Sequence, residues 1–273
     1  MAPRGFIWHS TYSCAYDALL TIIYNVWREN PVKWSRELQV NDSMTLLLNG
    51  FEEIQEGSRT MESCRDDLRK ALNIMDCHRF PLRRGEGTSV AELCNELFKV
   101  QDLGTVTSDC HTCGSSKDVP IETLLFNCYA QAEIHTNETP RLTIKHWLSS
   151  YLAPSGVYHG VRCCGQNVQT ITALRKTPCF FAFSIAHSNL ALTRSLTLTV
   201  NKKKRLTLRG IVYFGEFHFT CRFITKSRDV YFNDGAQTGW QCILEGNLEN
   251  MDIYSLLTCR GKSASLALYM QSL

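Results

Sequence analysis

The chain has 273 residues, 44% hydrophobic and 20% charged, an ordinary composition for a folded protein with enough length to bury a sizeable core. A net charge of +3 leaves no electrostatic footprint for nucleic acid, and no apolar stretch approaches the ~18 residues that span a bilayer, so neither nucleic acid nor membrane is expected as a partner. Thirteen cysteines behind an N-terminus with no apolar signal-peptide core point to a reducing, intracellular setting, cytoplasmic or nuclear, where thiols act as nucleophiles, metal ligands or core filler.

Ala15, Ala18, Leu19, Ile22, Ile23, Val26 and Trp27 recur at helical spacing and predict an amphipathic helix over residues 14–27. Cys14 opens it. A thiol on a first turn faces the positive end of the helix dipole and unpaired backbone N–H groups, both of which favour thiolate. The alternative is a buried cysteine that packs as a small hydrophobe. Asn30-Pro31 breaks the helix, residues 58–72 carry helix formers, and Arg83–Gly87 reads as a loop. Val90, Leu93, Leu97 and Phe98 share one face of a further helix behind a Thr88-Ser89 cap. The chain to about residue 105 is therefore expected to be mainly helical.

Next comes Cys110-His111-Thr112-Cys113-Gly114, the spacing of a zinc knuckle, followed by an adjacent pair, Cys163-Cys164. Four thiolates would complete a closed tetrahedral structural zinc site with no position open to water. Adjacent cysteines hold a metal with a less comfortable backbone than a Cys-x-x-Cys, and His111 or His159 could substitute for a sulfur that fails to reach. The other readings are a redox Cys-x-x-Cys, disfavoured without a βαβ pattern around it, and two unrelated pairs.

From about residue 178 the pattern turns to strands: Pro178–Ile185, Leu196–Val200, Leu206–Phe214, Phe217–Thr225, Asp229–Phe232 and Ala264–Met270. The basic run Lys202–Arg205 sits between Leu/Thr alternations and reads as a solvated hairpin turn, with nuclear localisation as its other possible use. Gly215-Glu216 and Asn233-Asp234-Gly235 are further turn signals. Helices first and antiparallel strands afterwards predict an α+β fold. There is no internal repeat.

A cysteine nucleophile needs a base and a group that orients the base. Of the eight histidines, His218 stands at a strand start in Phe217-His218-Phe219, and Asn233 or Asp234 at the end of the next strand can orient its imidazole. The chain resembles, on these residues, the ubiquitin-specific proteases, a family of papain-like cysteine peptidases. That family's Cys box, roughly Asn-x-Gly-x-Thr-Cys-Tyr-x-Asn-Ser-x-Leu-Gln, falls on His9–Leu20. Its His box, a strand, a Gly-rich turn, then His and an aromatic, falls on Gly210–Phe219. Its later aromatic strand ending Phe-Asp/Asn-Asp falls on Tyr231–Asp234, and its closing Ala-Tyr-x-Leu-Phe-Tyr strand on Ala264–Tyr269. Residues 88–98 and Cys110–Gly114 resemble the helix that leads into the family's zinc-bearing fingers. The features run in the family's order over nearly the whole chain.

The resemblance implies a single catalytic domain over residues 1–273: a helical part with the Cys box at 1–105, a zinc-binding, fingers-like part at 106–177, and a β-rich part with the His box at 178–273. It implies a thiol-dependent deubiquitinase that cleaves after the last glycine of ubiquitin or a ubiquitin-like protein. Cys14 is then the nucleophile, His218 its proton partner and Asn233 the orienting residue, with Asp234 the alternative. Cys110, Cys113, Cys163 and Cys164 hold structural zinc. Two positions depart from the pattern. The family's oxyanion-stabilising Asn is His9, whose imidazole can also donate, and the Gly before the catalytic His is Phe217. These departures motivate the rival expectation, a catalytically weak or inactive ubiquitin-binding module of the same fold.

Overall fold

The structure, a computed structural model, describes residues 2–83, 85–128, 142–157, 162–186, 188 and 190–271. Side-chain caps divide the first part of the chain into helices α1 (Cys14–Glu29), α2 (Pro31–Leu38), α3 (Asp42–Glu56), α4 (Met61–Met75) and α5 (Val90–Leu97). Asn30, Asn41, Thr60 and Ser89 each accept a hydrogen bond from a first-turn N–H of α2, α3, α4 and α5 in turn. Asn30-Pro31 is thus a cap followed by proline at the first helical position, the arrangement that starts a helix with least loss. Helix α3 is an element the sequence reading did not single out. Helix α1 is not amphipathic as expected: every residue from Cys14 to Trp27 is buried, as befits a helix enclosed on all sides.

Strands β1 (Lys99–Asp109), β2 (Ser116–Thr123) and β3 (Leu125–Asn127) follow, then α6 (Ile144–Tyr151), then β4 (Arg162–Cys163), β5 (Gln166–Asn167) and β6 (Gln169–Leu174). The last part holds β7 (Phe180–Ser184), β8 (Ser195–Thr199), β9 (Lys203–Gly215), β10 (His218–Ile224), β11 (Asp229–Asn233), β12 (Ile243–Asn247), β13 (Thr258–Cys259) and β14 (Lys262–Gln271). Among the described residues β1, β2 and β6 form an antiparallel three-stranded sheet in the order β2-β1-β6, with the β4–β5 hairpin at its far end. Strand β1 carries the chain from the helices into this sheet, so residue 106 falls inside a strand.

Among the described residues the main sheet has nine strands, with the path β12-β11-β10-β9-β14-β7-β3 and with β8 and β13 pairing β9 and β14. It departs from the antiparallel expectation at one edge, where β3 runs parallel to β7. The basic run lies in the β8–β9 hairpin, with Leu196 opposite Leu206 and Thr199 opposite Lys203, but only Lys202 falls in its turn; Lys203, Lys204 and Arg205 open strand β9, contrary to the expectation of a turn. Helix α1 packs across β9 and β10. The two approach so closely at Gly210 that a Cβ there would lie 2.3 Å from Ile22 Cγ2. This seam, with Ile22, Ile23, Val212, Cys221 and Phe223 all buried, is the middle of the core. No helix among the described residues is long and apolar enough to cross a membrane.

Candidate active site

Polar residues recur every fourth position along the otherwise apolar α1, at Asp17, Thr21 and Asn25, with Ser13 just before it. That spacing makes one buried stripe. The stripe is satisfied by the N-terminal segment. Thr21 Oγ1 accepts from Phe6 N–H at 3.1 Å, and Asn25 both accepts from Arg4 N–H at 3.2 Å and donates to Arg4 O at 2.7 Å. The other side of the segment meets the loop after β11: Gly5 N–H donates to Trp240 O and Trp8 N–H to Gly235 O, at 2.9 and 3.0 Å. Residues 4–8 therefore tie the Cys14 helix to the loop that carries Asp234.

Cys14 is 6% exposed at the start of α1. Alone among the α-helices of the described residues, α1 has no side-chain cap. The Ser13 hydroxyl instead donates to Asp17 Oδ2 at 2.6 Å and accepts from His9 N–H at 2.8 Å. The first N–H groups of α1 are thus left without a side-chain partner beside the thiol, where they and the helix dipole favour negative charge. Asp17 is itself paired with Arg65 at 2.7 Å. Burial pushes its carboxyl up to about 6, against the pull of Arg65 and the Ser13 hydrogen bond.

The β9–β10 hairpin delivers His218. Register pairs His218 with Gly215, so the two-residue turn is Glu216-Phe217, one position later than the sequence placed it. Both turn residues have positive φ, 53° and 57°, the combination whose twist matches a β-hairpin. His218 Nε2 lies 2.8 Å from Asp234 Oδ1. The Cys14 side chain hydrogen-bonds the same imidazole. The Asp234 hydrogen bond, followed by that of Cys14, lifts the His218 pKa from 6.5 to about 9 against the opposing effect of burial. Burial pushes the Asp234 carboxyl up, but the His218 bond and the N–H groups of Ala236 and Gln237 outweigh it and hold the carboxyl below its usual range.

The orienting contact thus falls on Asp234 and not on Asn233. The Asn233 amide points into the next loop and donates to Thr238 Oγ1, Gly239 O and Gln241 O at 3.2, 2.9 and 2.9 Å. Asn233 is the last residue of β11, whereas Asp234 is the first beyond it, where the chain turns and brings its carboxylate round to the imidazole. His9, expected to face the scissile carbonyl, stands exposed with Nδ1 3.0 Å from Thr11 Oγ1, and it is not among the residues that line the cleft. Arg65, Arg69 and Asp17, which brace the loop before Cys14, were missed in the sequence. The four-residue polar period in an apolar helix was the available signal for Asp17; nothing local marks the two arginines.

A cleft of about 400 Å3 opens over Cys14, walled by Tyr12, Gly87, Thr88 and Ser89 on the helical side and by Phe214, Phe217, Phe219 and Ser265 on the sheet side. Phe214 and Phe219 pack with ring centroids 4.5 Å apart and planes tilted by 38°, and Phe217 at the hairpin tip is 88% exposed.

The four cysteines of the two pairs meet at the tip of the small sheet, with all their sulfurs within 4.8 Å of one another. Cys113 Sγ is 3.6 Å from Cys163 Sγ, which is 3.9 Å from Cys164 Sγ. Sulfurs bound tetrahedrally to zinc at about 2.3 Å are about 3.8 Å apart, so the cluster fits a metal ion. The adjacent pair is comfortable after all. Cys164 and Gly165 occupy a two-residue hairpin turn with φ of 51° and 76°, which turns both sulfurs to one side. Gly114, at φ 69°, closes the knuckle by donating to Cys110 O at 2.8 Å. Crowded thiols cannot all ionise without a cation: Cys113, hydrogen-bonded by Ser115, drops to about 6, while its neighbours Cys113 and Cys163 push Cys164 up to about 12. His111 is exposed and outside the cluster, and His159 lies outside the described residues.

No protein-family model matches the chain, and no curated protein does. Solved structures do. The SAGA Ubp8/Sgf11/Sus1/Sgf73 DUB module bound to ubiquitin aldehyde is similar with a TM-score of 0.50 and 11% identity, over 99% of this chain and 70% of that one. The chain has a ubiquitin-specific-protease-like fold. The same module with a Ubp8 variant, bound to monoubiquitin, is similar at a TM-score of 0.47 and 10% identity, over 99% of this chain and 69% of that one.

Proposed function

We propose that this chain is a thiol-dependent deubiquitinase that cleaves the peptide or isopeptide bond after the C-terminal glycine of ubiquitin or a ubiquitin-like modifier. The observation that carries the reading is the line Cys14–His218–Asp234 at the wall of a cleft. The fold, shared with a DUB module solved with ubiquitin aldehyde, supports ubiquitin as the class of partner. In this reading residues 1–273 act as one catalytic unit, and the free state of all thirteen cysteines suits an intracellular compartment.

His218, held protonated by Asp234, and Cys14 share one proton, so that Cys14 attacks as thiolate. Its electron pair forms a bond to the glycine carbonyl carbon, and the carbonyl π pair moves to oxygen. Backbone N–H groups at the start of α1 face that developing charge. As the tetrahedral species collapses, the C–N bond breaks and His218 gives its proton to the leaving amine. The neutral imidazole then takes a proton from water, whose oxygen attacks the thioester. Cys14 leaves as thiolate and the modifier leaves with a free carboxylate. Asp234, not Asn233, keeps the ring turned, and His9 is not assigned a role at the oxyanion.

A zinc ion is the metal we assign to Cys110, Cys113, Cys163 and Cys164, where four thiolates would bind it with no open position and brace two hairpins far from the chemistry. The rival reading, a weak or inactive ubiquitin-binding module, draws on the exposed Phe217 beside the cleft. Incubation with ubiquitin carrying a C-terminal electrophile separates them. A covalent adduct that Cys14→Ala abolishes supports the enzyme; binding without an adduct supports the module.

A further inference from the structure

Two arginines one turn apart on α4 reach under the loop that precedes Cys14. Their side chains are 1% and 5% exposed, a depth at which arginine is rare unless its donors are engaged. Arg65 donates to Ile7 O at 2.6 Å and to Asp17. Arg69 places its two terminal nitrogens on one residue, Nη1 on the Thr11 hydroxyl at 2.8 Å and Nη2 on the Thr11 carbonyl at 2.7 Å. Its guanidinium lies 5.3 Å over the Tyr16 ring, which stiffens the fork from the helix side. The Cys14–His218–Asp234 line makes no use of Arg69.

We infer that Arg69 is a positioning residue that sets a main-chain oxyanion cradle, in place of a side-chain donor at His9; the inference rests on the thiol-hydrolase reading above. A trans peptide points its C=O and N–H in opposite directions, and this chain has no cis peptide bonds among the described residues. By drawing the Thr11 carbonyl towards α4, Arg69 turns the Tyr12 N–H the other way. Tyr12 and Cys14 both line the cleft, and their N–H groups find no acceptor among the described residues. Tyr12 holds a φ of 58°, a conformation a tyrosine does not adopt unaided and which the Arg69 fork imposes from outside. His9 is unsuited to the task because its Nδ1 is already on the Thr11 hydroxyl that Arg69 holds.

The test compares the wild type with Arg69→Met, which keeps the apolar stem, and Arg69→Lys, which keeps the charge but not the two-pronged geometry. Three readouts are needed: kcat and KM on a ubiquitin–dye conjugate, affinity for ubiquitin C-terminal aldehyde, and the rate of Cys14 alkylation by iodoacetamide. Loss of oxyanion donors should lower kcat by about 10²–10³, leave KM within about twofold, and weaken the aldehyde, whose adduct resembles the transition state, by a comparable factor. Alkylation creates no oxyanion and should proceed at the wild-type rate, with Arg69→Lys intermediate on the first two readouts. Thr11→Val removes one acceptor without touching the arginine and should lower kcat in the same direction by a smaller factor. An unchanged kcat in Arg69→Met overturns the inference alone, as does a parallel loss of kcat and alkylation in all three variants, which marks a purely structural arginine. A wild type that neither turns over the conjugate nor binds the aldehyde overturns the hydrolase reading and this inference together.

Discussion

At the scale of single residues, the decisive contact is the 2.8 Å bond between His218 and Asp234. It dominates the rise of the His218 pKa to about 9, so it also sets the pH range over which an imidazolium faces Cys14. Asp234→Asn keeps the shape and removes the charge. The imidazolium should then lose its proton at lower pH, and the alkaline limb of the rate profile of Cys14 alkylation should move down, a shift that a pH series from 6 to 10 would show. The same pKa carries a stability consequence. A histidine whose folded pKa is raised contributes stability that is complete below its ordinary pKa of 6.5 and fades as pH rises through about 9. Thermal melts of the wild type should lose this contribution over that window, and Asp234→Asn should flatten the dependence. Asn233→Ala should behave differently. It removes a buried amide that makes three hydrogen bonds to the following loop and should cost about 1–3 kcal/mol in a denaturant melt, with a smaller effect on turnover per folded molecule than Asp234→Ala.

At the scale of elements, the β9–β10 hairpin does two jobs at odds with each other. It must present His218, and it places Glu216 and Phe217 in left-handed backbone for which neither side chain is suited. Left-handed backbone costs an ordinary L-residue roughly 1–2 kcal/mol, so replacing Glu216-Phe217 by Asn-Gly should raise the melting temperature while leaving the strand register intact. The same change removes the exposed ring beside the cleft. If Phe217 restricts the tail that enters, KM for the ubiquitin–dye conjugate will change, whereas an unaltered KM would show that the ring stays clear of the substrate. Helix α1 imposes the opposite constraint on β9. With Ile22 2.3 Å from where a Cβ would stand on Gly210, Gly210→Ala should be destabilising by about 1–3 kcal/mol, measured by chemical denaturation.

At the scale of the molecule, three regions converge that are distant in sequence. The N-terminal segment is clamped between α1 and the Asp234 loop, so Cys14 and Asp234 share a brace; Gly5 is part of it, since a Cβ there would lie 2.2 Å from the Asn233 amide nitrogen. The cysteine cluster lies at the tip of a separate sheet and gathers residues some fifty positions apart. Elemental analysis should find about one zinc per chain. Cys110→Ser should lose the metal and lower the melting temperature, while Cys14 keeps its reactivity toward a small alkylating agent. A metal-free wild type that is fully stable and active would remove the zinc assignment.

Local chemistry by itself determined much of this protein. Apolar periodicity located α1 and, with a cap, α5; helix formers located α4; β-branched and aromatic runs located β7 to β11 and β14, and the Cys-x-x-Cys-Gly spacing marked the first half of the cysteine cluster. These are short-range signals, written within a turn of helix or a few residues of strand. The tertiary structure decided the rest. Asn233 and Asp234 are adjacent and chemically similar, and only the register of β11 against β10 says which one reaches His218. His9 occupies the family's donor position in sequence, but Thr11 and Ser13 draw its ring and its N–H elsewhere. Nothing local marks Arg65 and Arg69 until α4 is packed beneath the Cys14 loop, where they meet that loop's carbonyls and hydroxyl and the carboxylates of Asp17 and Asp66. Contacts between residues fifty to two hundred positions apart leave no trace in local pattern, because each partner's sequence neighbourhood is selected by its own element.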